Sequence, residues 1–481
     1  MRQAIQSIGK RARAFGADKN GNFAVLAAVS ASMLALSVGF GVDIVQLYNV
    51  KSGLQNALDA AITSTARDLT TGAINAQDAR ATFEAFFFAN GDPQAVASNR
   101  VVLDQFEIDK TAKTVSATAY VDADLFFPLF RSCPTRRIGI GSAALYSDKA
   151  IEVAMMLDVT GSMKKTSKSD KIGDLRKAAT NAVNALLGSQ DETKPRVRVA
   201  IVPYAEGVNT GGLSDAVFVE QTGGSNVPPP IDSPLSASAG APHGTCATER
   251  KNKDGSADFS SDGPYTERKD NNRKTYLARV NLDDRVTKVW KNGKSVPKCP
   301  DAGIIPLTAN KQKLLDTIAD FEADGFTGGG IAAQWGYYML SPSWRDAIAN
   351  AGLGSGPANY NSKKLSKVAI LMTDGQFNTA FAGVPDWETP QNQQGSKSRN
   401  YAESLCENMR RDGIEIFTIG FNLDDPSMSA TEKKEAKAVL KDCSSPDTSS
   451  IKHYYEASTG TDLDNAFQSI IGNIERLAIT R

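Results

Sequence analysis

The chain has 481 residues, too many for one ordinary hydrophobic core, so two or three domains are expected. Its 54 basic and 54 acidic residues cancel and the pI is near neutral, which gives no electrostatic support for nucleic-acid binding, since that needs a strongly basic face. No G-x-x-x-x-G-K-[ST] run occurs, so no nucleotide-binding loop is visible.

In chain order, the first feature is the uncharged run from Phe23 to Val42, FAVLAAVSASMLALSVGFGV. As a helix it spans about 30 Å, one hydrocarbon core. Before it stand Arg2, Lys10, Arg11, Arg13 and Lys19 against the single acid Asp18. The positive-inside rule then puts residues 1–22 in the cytoplasm and everything beyond about Asp43 outside. A cleaved signal peptide fits less well, because the small-residue triplet Ser30-Ala31-Ser32 falls in the middle of the run. The expectation is a single-pass, uncleaved anchor over 23–42.

Beyond the anchor, Leu54, Leu58, Ala61, Ile62 and Leu69 keep one helical stripe, which predicts an amphipathic stem over 43–72. Over 73–150 a small α+β, pilin-like module is expected: the period changes to two in VVLDQFEID, TVSATAYVDADLFF and RIGIGSAALYS, which read as strands. From Ile151 strand and helix alternate, the signature of an α/β, doubly wound parallel sheet with helices on both faces. Strands are predicted at 151–159, 197–205, 367–374 and 414–421, and helices at 172–187, 310–322, 329–340, 399–411 and 461–478. Continuous apolar strands fit a sheet buried on both sides. Residues 206–305, rich in Gly, Pro, Ser and charge, are too long for a simple connection. They read as an insertion, part linker and part excursion, with strands near 276–291.

The five cysteines are Cys133, Cys246, Cys299, Cys406 and Cys443. Outside the membrane they would meet an oxidising compartment. No CxxC pair suggests zinc. Where the segments should lie favours Cys406 with Cys443 and Cys246 with Cys299, leaving Cys133 over; spacing alone does not fix the pairing.

Function concentrates at MMLDVTGSM, where an apolar strand ends in oxygen-bearing side chains at alternate positions: Asp158, Thr160 and Ser162. In open α/β sheets ligands bind at the carboxyl ends of strands, at a topological switch point. A second strand, AILMTDG, ends in Thr373 and Asp374, and DGFTGGGIAAQWG puts Thr327 on a glycine-rich loop before a helix. Carboxylates and hydroxyls without imidazole or thiolate suit hard divalent cations. The bland alternative is a capping turn at a helix start.

These three motifs resemble the metal-ion-dependent adhesion site (MIDAS) of von Willebrand factor A domains, the resemblance covering about 151–205 and 306–481. It implies that Thr160, Ser162 and Thr327 bind Mg²⁺, or Mn²⁺ or Ca²⁺, directly. Asp158 and Asp374 would bind it directly or through water, and a partner's carboxylate would take the last position. Thr160 stands where Ser is usual, which keeps the hydroxyl. The domain would then be 151–481 with the insertion 206–305.

The N-terminus carries a second resemblance. Its small-residue-rich anchor, Asp43 just beyond, and the block Leu54-Gln-Asn-Ala-Leu-Asp-Ala-Ala61 are similar to the N-terminal segment of Tad/Flp pilus-assembly proteins. With a von Willebrand A module behind it, the architecture resembles the TadG-like proteins of tight-adherence systems. This implies an inner-membrane protein with its bulk in the periplasm, binding an acidic side chain of a pilus or secretion-system component, with neither nucleotide nor nucleic acid. A surface-exposed or released adhesin is the alternative. Asp59 in that block also reads simply as the wet side of a stem. Gly21 is followed by Asn-Phe-Ala-Val-Leu, without the Glu of a pilin cleavage point, so pilin-type processing is not expected.

An enzyme is not expected. GSMKK at 161–165 is not a nucleophile elbow, and His453, in KHYYEA, reads as a strand-edge residue. The glycines after Thr327 could cradle a phosphate at a helix start, yet no Lys or Arg stands near them in sequence. The insertion holds no defensible acid/base pair.

Overall fold

The computed structural model describes residues 22–90, 100–126, 135–217 (except 168 and 189), 245–269 (except 253), 275–279, 286, 288–291, 294–361 and 363–480. The expectations for the basic N-terminal residues and for Cys133 lie outside them.

The described chain forms two compact units. In the first, helix α1 (Asn22–Thr71) is continuous through the anchor and stem segments. Its first half presents apolar side chains all round: Leu26, Met33, Leu34, Val38 and Phe40 are each more than 60% exposed. Ser32 and Ser37 turn their hydroxyls onto the carbonyls of Ala28 and Met33, at 2.7 and 2.8 Å, which lowers the cost of placing them in an apolar environment. It is the one helix among the described residues long and apolar enough to cross a membrane. Further along, Leu54, Ala57, Leu58, Ala61 and Ile62 are buried at helical spacing.

That stripe packs with helix α2 (Ala79–Asn90) and an antiparallel sheet of β1 (Val101–Asp109), β2 (Thr114–Asp124) and β3 (Thr135–Leu145), in the order β1-β2-β3. Strand β2 buries Val115, Ala117, Ala119, Val121 and Ala123, every second residue, the period that one covered face requires. Gln55 Nε2 donates to Gly141 O at 3.3 Å, and the Phe83 ring lies 5.0 Å from that of Phe106. Asp43, just past the apolar run, accepts from Phe126 N at 2.8 Å, which holds the chain as it leaves β2. Asp59 accepts only locally, from Gln55 at 2.9 Å, on an exposed face.

The second unit is built on one sheet in the order β15-β14-β13-β4-β5-β6-β7, with β12 also pairing to β5. Strands β4 (Ala150–Asp158), β5 (Val197–Tyr204), β13 (Leu365–Thr373), β14 (Glu415–Phe421) and β15 (Tyr454–Ala457) run parallel. The short β6 (Val208–Asn209), β7 (Cys246–Ala247) and β12 (Ile305–Thr308) are antiparallel to their neighbours. Helices α3 (Lys171–Leu187) and α4 (Lys311–Ala319) cover one face together with α8 (Gly460–Thr480), and α5 (Gly329–Leu340), α6 (Gly395–Arg411) and α7 (Ala430–Cys443) cover the other. Alternation along β4 explains the two cores: Ala154 and Met156 face one, and Val153, Met155 and Leu157 the other. This is the doubly wound α/β fold expected from the sequence.

Described parts of the insertion join the main sheet and α5. Strands β6 and β7 extend the sheet, and residues 245–263 pack onto α5. Trp335 Nε1 donates to Thr248 O at 3.0 Å, Trp344 Nε1 to Asp262 O at 2.8 Å, and Arg250 N to Gln334 at 2.6 Å. The strands expected near 276–291 occur as two hairpins, β8 (Tyr265–Lys269) with β9 (Thr275–Arg279) and β10 (Lys288–Lys291) with β11 (Lys294–Pro297). Disulfides join Cys246 to Cys299 and Cys406 to Cys443. His453 precedes the edge strand β15 but is fully buried, its Nε2 2.7 Å from Glu415 and its ring stacked on Phe417.

Candidate metal centre

The switch point of the sheet lies between β4 and β13. The chain leaves β4 through α3 to reach β5 on one side, and β13 flanks β4 on the other, so a crevice opens at the carboxyl ends of β4 and β13. The register pairs Leu157 with Met372, which brings Asp158 level with Thr373 and Asp374. Just past β4 the chain makes a single turn of 3₁₀-helix, Gly161–Met163. Gly161 N donates to Gly325 O and Asp324 N to Val159 O, both at 2.9 Å, so the loop that carries Thr327 lies against the loop that carries Thr160.

Four of the five residues singled out in the sequence join in one hydrogen-bonded cluster. Thr160 Oγ1 and Ser162 Oγ are 2.9 Å apart, and Ser162 donates to Asp374 Oδ1 at 2.5 Å. Asp158 Oδ1 accepts from Thr160 N at 2.9 Å and its Oδ2 from the Thr373 hydroxyl at 2.6 Å. Thr327 stands beside this cluster. Its backbone is clamped by Asn378, which accepts from Thr327 N at 2.9 Å and donates its own N–H to Thr327 O at 2.9 Å. The Thr327 hydroxyl makes no hydrogen bond among the described residues.

Both carboxylates are buried, Asp158 at 0% and Asp374 at 1% exposure. Burial first, and the neighbouring negative charge of Asp374 second, push the Asp158 carboxyl up to about 7. The Tyr204 hydroxyl, also buried, donates to Met372 O at 3.0 Å and lies 3.4 Å from Asp158. Two carboxylates forced together with alcohols form an all-oxygen donor set that fits a hard divalent cation. No cluster of three or more His, Cys, Asp or Glu suited to metal occurs among the described residues; the candidate centre has two acids, and alcohols supply the rest.

Sequence reading missed the cation already present. Lys171 Nζ donates to Asp374 Oδ2 at 2.8 Å and lies 3.8 Å from Asp425. The glycines after Thr327 have a packing reason: a Cβ on Gly329 would fall into the Phe377 ring, and one on Gly330 would press on Tyr401 at 2.9 Å. Close helix packing accounts for them.

Residues 21–68 match the Tad family model, described as "Putative Flp pilus-assembly TadE/G-like". The chain is similar to that family over this N-terminal stretch. No curated protein matches it. Among solved structures, it is similar to the pilus adhesin SpaC from Lactobacillus rhamnosus GG, with 13% identity, 80% of this chain and 35% of that one covered, and a TM-score of 0.36. The chain thus spans about a third of that adhesin's length. It is also similar to the vWF domain of the type V pili tip protein Mfa5 from Porphyromonas gingivalis, with 12% identity, 69% and 97% covered, and a TM-score of 0.35. The PilB minor pilin from Streptococcus sanguinis gives 12% identity, 78% of each chain covered, and a TM-score of 0.33. The doubly wound fold rests on strand order and register.

Proposed function

We propose that the chain is a membrane-anchored, non-catalytic component of a Tad/Flp pilus-assembly or secretion system. Helix α1 is its single inner-membrane anchor, with the N-terminus cytoplasmic and the two folded units periplasmic. The second unit binds an acidic side chain of a protein partner through a divalent cation, Mg²⁺ or alternatively Mn²⁺ or Ca²⁺. Asp158, Thr160, Ser162, Thr327 and Asp374 hold that cation. When bound, it supplies a coordination position open to a partner carboxylate.

The observation that carries this reading is the convergence of two fully buried carboxylates with the Thr160 and Ser162 alcohols at the switch point of the sheet. Few charged and several neutral donors leave a bound cation with positive charge to spare for one more acid. Support for the setting comes from the Tad segment and from the exposed apolar half of α1.

The test is cross-linking and pull-down from inner membranes with and without chelator, using the intact chain and Ser162→Ala. A partner captured only with divalent cation and only by the intact chain is expected. Capture indifferent to both changes sinks the metal-dependent reading, and recovery of the chain in the outer membrane or medium favours the adhesin.

A further inference from the structure

Lys171 opens helix α3, directly after Asp170, whose side chain caps the helix by accepting from Gly173 N at 3.1 Å. A lysine there would ordinarily point to water. Instead it is only 7% exposed, and its ammonium sits 2.8 Å from Asp374 Oδ2 while Ser162 holds the other carboxylate oxygen. A buried ammonium is tolerated only when paired. The chain therefore already compensates the charge of one of its own candidate metal ligands.

A second seat stands ready for the same ammonium. Asp425 Oδ2 is 3.8 Å from Lys171 Nζ. Its carboxylate is held by Ser427 N at 2.9 Å, Ser427 Oγ at 2.6 Å and Asn422 Nδ2 at 3.2 Å, so the seat needs no rearrangement. Its side chain is 27% exposed, where an ammonium regains part of its hydration.

We propose that Lys171 is a built-in competitor for the candidate cation site, seated on Asp374 without metal and passed to Asp425 when a divalent cation binds. This rests on the metal reading above. A cation on Asp374 takes over the negative charge that now compensates the Lys171 ammonium, and a buried ammonium deprived of its partner is costly, which favours the move to Asp425. The flexible four-carbon stem of lysine lets the charge move without moving the helix. Occupancy then responds to cation concentration, because binding must also evict the ammonium.

Isothermal titration of Mg²⁺ and Mn²⁺ into the detergent-solubilised full chain, with folding checked by circular dichroism, tests this. Lys171→Met is expected to tighten binding at least about tenfold, because a positive charge within a few ångströms is removed. Asp425→Asn is expected to weaken it several-fold by removing the second seat, and the double variant to match Lys171→Met alone. Unchanged or weaker binding in Lys171→Met, with binding still weakened in Ser162→Ala, overturns the lysine inference and leaves the metal reading standing. If Lys171→Met does not fold, Asp425→Asn decides, and unchanged affinity there overturns the inference. No binding of either ion by any variant overturns the metal reading and this inference with it.

Discussion

Ser162 donates its hydroxyl to Asp374 at 2.5 Å across 212 residues of sequence. One short bond ties the turn after β4 to the end of β13, the two strands that flank the switch point. The alcohol that a cation would use as a ligand is thus the one that now satisfies a buried carboxylate, so ligand placement and local stability depend on the same contact.

Ser162→Ala removes that oxygen without adding bulk. Loss of one hydrogen bond to a buried acid is expected to cost about 1–3 kcal/mol of stability, leaving the fold intact, while Mg²⁺ affinity falls at least about tenfold. Asp158→Asn keeps the shape and removes a charge, and is expected to abolish binding. Calorimetric titration checks both, and Mg²⁺ affinity unchanged in the two variants would remove these residues from any ligand set.

The raised Asp158 carboxyl makes the centre sensitive to pH. Between its ordinary value of 3.8 and about 7, the folded unit holds a proton that the unfolded chain has released. Stability without metal therefore falls as pH rises through that window, by up to about 4 kcal/mol, and levels off above it. A cation needs the carboxylate, so Mg²⁺ affinity is expected to rise from pH 6 to pH 8, with proton release on binding. Denaturant unfolding in chelator at pH 5 and pH 8 reads the first effect. Titration in two buffers of different ionisation enthalpy reads the second. Asp158→Asn should flatten both, and a pH dependence that survives in it would place the titrating group elsewhere.

What the sequence made legible followed from how long a signal persists. The run from Phe23 to Val42 in α1 is uncharged throughout, strands β4, β5, β13 and β14 are apolar but for a charged residue near the start of each, and the ends of β4 and β13 carry the acid and alcohol motifs. Helix α7 was missed because its exposed face is dense in Lys and Glu. Its start was nonetheless written in Ser429-x-x-Glu432, a capping box with Glu432 donating through its N–H to Ser429 at 3.2 Å. Strands β12 and β15 have four residues each, too few for a period to register. Lys171 was illegible for a different reason: its burial depends on Asp374, 203 residues away, and nothing local distinguishes it from a solvated lysine at a helix start.

The Cys406–Cys443 disulfide joins α6 to α7 with Cα atoms 5.1 Å apart and closes 37 residues. Both sulfurs are buried, so alanine is the gentler replacement. Chain-entropy arguments assign a loop of this length about 4 kcal/mol. The double variant Cys406→Ala with Cys443→Ala should lose stability on that scale in guanidinium unfolding under oxidising conditions, and reductant should bring the parent toward it. A difference below about 1 kcal/mol would mean that packing of α7 alone holds the pair of helices.

Glu152 is the charged residue inside an otherwise apolar β4, and it faces Lys367 directly across the β4–β13 register. Lys367 Nζ donates to Glu152 Oε2 at 2.6 Å and to Leu340 O at 2.7 Å; Ala358 N donates to Glu152 Oε1 at 2.9 Å, and Arg198 joins that oxygen. Burial lowers the Lys367 ammonium from its ordinary value against the opposing pull of Glu152. Breaking such a pair from one side leaves an uncompensated buried charge, so Glu152→Met or Lys367→Met alone should cost about 3–5 kcal/mol. Replacing both removes the two desolvation penalties together, and the double variant should lose markedly less than the two single losses added. A double-mutant cycle by urea unfolding measures this coupling. Strict additivity would show that the two charges act independently, with Arg198 and the backbone donors sufficient to satisfy Glu152.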